Sequence, residues 1–151
     1  MMDGMRASSL ANPLFAITLC VSALRCGRKG DPIPRPRAGA QAMVVRLEGL
    51  RKVRLTLPSA DVKGDSLVGI EVVRVLYLPL GLTKPSPEEV FSRGEVVLER
   101  RRPDLPGPGE TLLLELKSLQ RPQGWFVVVA VRLGNVAGRP SEVLPWLDPA
   151  L

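Results

Sequence analysis

A chain of 151 residues has room for one domain and a leader, but not for two full domains. At 45% hydrophobic and 24% charged it has a globular balance, and its 15 prolines and 14 glycines favour short elements joined by turns. The +6 net charge is unevenly placed: residues 1–40 hold six cations against two carboxylates, which points to a membrane surface, and 4% aromatics excludes stacking platforms for nucleic acid. There is no histidine, so Ser-His-Asp and Cys-His catalysis, the commonest zinc ligand and the usual pH switch are all removed.

The first 25 residues read as a signal peptide. Arg6 supplies a positive start, and Leu14 to Leu24 is an uncharged run of 11 residues. About 20 apolar residues are needed to cross a bilayer, whereas roughly 7–15 suit a removable leader. Cys26 follows, and with Cys20 it makes up the chain's whole cysteine content, leaving the remainder free of disulfides. Residues 26–42 form a spacer in which Pro32, Pro34 and Pro36 favour an extended, polyproline-like course. Arg28, Lys29, Arg35 and Arg37 lie along it, and each adds about 1 kcal/mol on an anionic surface or else remains solvated.

Residues 43–149 carry strand patterns separated by turn signals. Val44–Leu47 and Lys52–Leu57 come first, the second alternating Val53, Leu55 and Leu57 before Pro58. Ile70–Tyr77 is β-branched and bounded by Pro79 and Gly81. Ser86-Pro87-Glu88-Glu89 then predicts a short helix, with a serine cap, proline at the first helical position and glutamate three residues after the cap. The helix ends at Gly94, and its Glu88-Glu89 pair needs no acid–base role. Further strands are expected at Gly94–Arg100, Thr111–Leu116 and Gly124–Leu133, with a last edge segment over Pro140–Trp146 after the Gly134-Asn135 turn. The expected fold is an all-β sandwich with one inserted helix.

Two resemblances extend this reading. Cys26-Gly27-Arg28-Lys29-Gly30 after a short apolar run resembles the CG-x-KG start of bacterial envelope lipoproteins, although Arg25 stands where such boxes carry a small residue. One such family is associated with maturation of the lipopolysaccharide translocon; others carry a fibronectin type III-like domain behind the same start. The resemblance implies lipid on Cys26, and Gly27 after it implies the periplasmic face of the outer membrane. Lys52–Pro58, Val68–Arg74 and above all Val129 to Ser141 resemble strands of a fibronectin type III-like (immunoglobulin-like) sandwich, with Leu57 and Ile70 where that family often has tryptophan and tyrosine.

Function is the least legible part. Trp125–Val131 is apolar on both faces, which suits either a covered central strand or an exposed docking strip of Trp125, Val127 and Val129, extended by Val73 and Tyr77. Arg100-Arg101-Arg102 reads as a solvated loop or as a contact for phosphate groups. No nucleophile constellation, metal-ligand spacing or phosphate loop appears, so neither enzymatic activity nor a cofactor or metal is expected. The sequence points to a lipid-anchored interaction or structural module with an envelope protein partner. A second reading is an assembly factor acting through its CG-x-KG segment.

Overall fold

The computed structural model describes residues 37–49, 51–67, 69–116 and 120–147, within a compact unit that begins at Pro36. The expected signal peptide, Cys26, Arg28, Lys29 and Arg35 lie outside the described residues. The element order is β1 (Val44–Leu47), β2 (Lys52–Thr56), β3 (Ile70–Pro79), α1 (Pro87–Arg93), β4 (Glu95–Arg101), β5 (Thr111–Glu115), β6 (Gly124–Arg132), β7 (Val136–Ala137) and β8 (Leu144–Trp146).

All pairings are antiparallel, and they form two sheets. The smaller runs β1-β2-β5; the larger runs β4-β3-β6-β7, with β8 also on β6. Alternation dictates which side chains meet between them. Val45, Val53, Leu55 and Leu114 point inward from the small sheet, and Val73, Val75, Tyr77, Phe126, Val128 and Ala130 from the large one, forming one buried core. On the outer face of the small sheet, Lys52 pairs with Glu115 across the strands and Arg54 with Glu48, at 3.6 and 2.7 Å. That face is the solvated one, and its ion pairs add little stability.

The large sheet is covered on both sides. Its second face carries Leu76, Val127 and Val129, packed with Val90 of α1, Val143, Ala137 and the partly buried Trp125. The helix forms as its sequence predicts: Ser86 Oγ accepts from Glu89 N at 3.1 Å, Pro87 opens the first turn, and the Gly94 N–H closes on Val90 O. Glu89 does not reach back to the cap; it accepts from Arg93 one turn on, at 2.6 Å.

The last segment differs from the single edge strand expected over Pro140–Trp146. Gly134 and Asn135 adopt left-handed backbone (φ 86° and 60°) and turn β6 into the two-residue β7. Pro140 has no N–H to donate, so the ladder breaks there. Ser141 restores it: its N–H donates to Val128 O, and its Oγ accepts from Val128 N at 3.0 Å. The chain then re-forms a strand as β8 at the start of β6. The fold also begins before residue 43. Ala40 is fully buried, the Gln41 N–H donates to Ala60 O, and the Arg139 N–H donates to Ala40 O, so residues 38–41 of the expected spacer are part of the sandwich. An apolar residue at position 40 and the backbone groups of Ala60, Val62 and Arg139 that pair with residues 39–41 are the physical reason.

Burying a valine side chain contributes about 1.5–3 kcal/mol. Val90→Ala should therefore lower the unfolding free energy by about 1.5–3 kcal/mol, because it opens a gap under α1. Leu113→Ala, on the exposed face, should stay within about 0.5 kcal/mol of wild type. Chemical denaturation of the two variants checks both values.

Candidate functional site

The register of β3 on β6 decides what the expected docking strip can do. Tyr77 faces Phe126 and Val73 faces Ala130, while Leu76 faces Val127 and Leu78 faces Trp125. Val73 and Tyr77 therefore lie on the inter-sheet face and Trp125, Val127 and Val129 on the opposite one. They cannot form one strip. Val73, Val127 and Val129 have no exposed surface and Tyr77 has 2%. The covered-strand reading is the correct one, and of the five residues only Trp125 reaches the surface.

Tyr77 is a structural group. It stacks edge-on against Trp146 with centroids 5.7 Å apart, and Phe126 meets the same indole at 5.8 Å. Its hydroxyl donates to the carbonyl of Pro122 at 3.0 Å, tying the segment before β6 to the core. Burial holds its phenol above the ordinary value, since the phenolate would lose hydration; Arg121 nearby works against this and Glu95 with it.

Trp125 lies at the end of the sandwich where β3 finishes and β6 begins. There a groove of about 430 Å³ is lined by Leu78, Leu80, Leu82, Trp125 and the Glu89–Arg93 pair of α1. Leu82 is fully exposed and Leu80 more than half exposed. Lys84 Nζ sits 5.8 Å from the centre of the indole, and the buried Trp125 Nε1 has no acceptor among the described residues. Two leucines offered to solvent beside an indole form an apolar feature of that end, and they can take an apolar side chain with a carbonyl beside it. Sequence reasoning missed them because Pro79-Leu80-Gly81-Leu82 reads as a turn that ends β3.

The opposite end, where β3 begins and β4 and β6 finish, is charged. Arg37, Glu71, Arg102 and Arg132 line a second groove of about 460 Å³ with Gly69 and Leu133. Of the arginine run, Arg101 pairs with Glu99, which also accepts from Arg74; these two bonds hold the Glu99 carboxyl below its ordinary range. Arg102 turns away from them and enters the groove.

Among the described residues no group of His, Cys, Asp and Glu stands close enough to hold a metal ion, and no helix is long and apolar enough to cross a membrane. Comparison of the chain with protein-family models, curated proteins and solved structures gives no match.

Tyr77→Phe should cost about 0.5–1.5 kcal/mol at neutral pH through the lost hydrogen bond to Pro122. A folded-state phenol held above its unfolded value contributes stability that is complete below pH of about 10 and is lost as pH rises through the folded value. The stability difference between wild type and Tyr77→Phe should therefore shrink from pH 9 towards pH 11, as followed by denaturant titrations at each pH.

Proposed function

We propose that this chain is a bacterial envelope lipoprotein, lipidated on Cys26, whose sandwich is a non-catalytic interaction module presented on the periplasmic side of the outer membrane. One observation carries the reading: the described chain begins, at residues 37–38, at the end of the sandwich beside Arg132, and the exposed apolar groove lies at the other end. The carbonyl of Ala38 is held by Arg132 at the close of β6. Leu80, Leu82 and Trp125 flank the close of β3 and the start of β6. The ten residues of β3 separate the two ends by roughly 30 Å. A tethered domain arranged in this way faces its apolar contact away from its attachment point.

The finer fold assignment belongs with this reading. Lettered in chain order without a D strand, the sheets run A-B-E and C′-C-F-G, the pairing of an immunoglobulin-like sandwich and the one implied by the fibronectin type III resemblance. The anchor acts through hydrocarbon, at about 0.8 kcal/mol per buried CH₂, so several acyl chains hold where one is marginal. The partner is a protein that places an apolar side chain among Leu80, Leu82 and Trp125.

Intact mass of membrane-fraction protein should show a lipid-sized increment that is lost in Cys26→Ser; an unmodified wild type would refute the anchor. A photo-crosslinking residue at position 82 should capture a discrete envelope protein, and one at position 54, on the solvated face of the small sheet, should not. If a chain ending at residue 36 retained the whole phenotype, the sandwich would not be the acting part.

A further inference from the structure

The groove at the spacer end is built to present guanidinium groups. Arg132 is largely buried; its Nη1 donates to Ala38 O at 2.6 Å and lies 3.7 Å from Asp61 Oδ2. Asp61 is itself fixed by the Lys63 and Asp65 N–H groups. Arg132 therefore spends its charge on Asp61 and its hydrogen bond on the residue after Arg37, which sets Arg37 at the rim. On the other side, Arg102 Nε donates to Ile70 O at 2.9 Å, which fixes the plane of its guanidinium. Gly69 makes this possible: its backbone is left-handed (φ 75°), and a side chain there would run into the Arg102 guanidinium.

Two cations thus face one groove, and among the described residues no carboxylate forms an ion pair with either. Arg54, Arg74, Arg93, Arg101 and Arg121 each carry one within 4 Å, while no ion pair forms at Arg37 or Arg102 among the described residues. Glu71 lines the same space and opposes a second anion. A volume of about 460 Å³ exceeds what a bare ion needs and suits a small phosphorylated molecule. Guanidinium forks match phosphate oxygens in geometry.

We infer that the groove between Arg37 and Arg102 binds a phosphate group on a small organic carrier, with Arg132 as the positioning residue and Glu71 as the group that limits affinity. The phosphate can come from a lipid headgroup or from a soluble phosphate compound. The lipid source rests on the anchored reading, in which Arg37 follows Cys26 by only 11 residues in the sequence. The phosphate site itself does not depend on lipidation.

The test uses the full chain carrying Cys26→Ser in neutral detergent, titrated calorimetrically with inorganic pyrophosphate, dihexanoyl phosphatidic acid and dihexanoyl phosphatidylcholine. Pyrophosphate and phosphatidic acid, whose phosphates are unshielded, should bind, and phosphatidylcholine, whose phosphodiester is balanced by its own choline, should not; tighter binding of phosphatidic acid than of pyrophosphate identifies the headgroup as the source, and equal binding a soluble phosphate. Arg37→Glu should weaken binding at least tenfold, and Glu71→Gln should tighten it severalfold. Arg46→Glu, an equal charge change on the outer face of the small sheet, should leave it unchanged. Absence of binding, equal weakening by Arg37→Glu and Arg46→Glu, or no gain from Glu71→Gln would overturn the inference. Because Cys26 is replaced throughout, an unlipidated wild type would leave these outcomes intact.

Discussion

The structure depends on the pairing of β3 with β6, and β6 is apolar on both faces. A half-exposed antiparallel sheet has one face for the core and one for water. Here Phe126, Val128 and Ala130 need the small sheet, while Val127 and Val129 need a second cover. The α1 helix and the Val143 segment supply it. The helix inserted between β3 and β4 and the Val143 segment between β7 and β8 thus serve one hydrophobic requirement. Without disulfides among the described residues, burial carries the stability of the fold.

That requirement also places the chemistry at the ends. The sheet faces are occupied by the small sheet, the helix or paired charges, so the loops hold what is left for recognition. The two ends differ in character for local reasons. At one, the turn after β3 cannot bury Leu80 and Leu82, because α1 is engaged through Val90. At the other, three strand termini and the entering chain bring arginines together around Gly69. Roughly 30 Å of rigid sheet keeps the apolar and the basic groove apart, so a contact at one leaves the other accessible.

The elements were legible in the sequence almost to the residue, because each follows from local chemistry. Period-2 alternation marked β2, β-branched runs marked β3 and β6, and Ser86 with Pro87 marked the start of α1. β3 runs two residues beyond Tyr77 since Leu78 and Pro79 still pair with Trp125 and Gly124. The choice between a covered strand and a docking strip was out of reach of the sequence for a non-local reason. Whether Tyr77 shares a face with Phe126 or with Val127 is set by the register between two strands some 50 residues apart, and neither strand encodes it alone. The basic groove was hidden in the same way: residues 37, 102 and 132 share no motif, and the Arg100–Arg102 run marked only one of its walls.

By composition the basic excess of this chain lies in residues 1–40, where six cations meet two carboxylates. The sandwich itself is nearly balanced, and several of its arginines are paired with neighbours such as Glu48, Glu95 and Glu99. What distinguishes Arg102 is geometry. Its Nε is spent on a backbone carbonyl, which costs no charge, and its neighbour Glu99 is already taken by Arg74 and Arg101. A cation held by a carbonyl stays available to an anion, whereas one held by a carboxylate does not. The distribution of carboxylates around the arginines, more than their number, decides where this surface can bind phosphate.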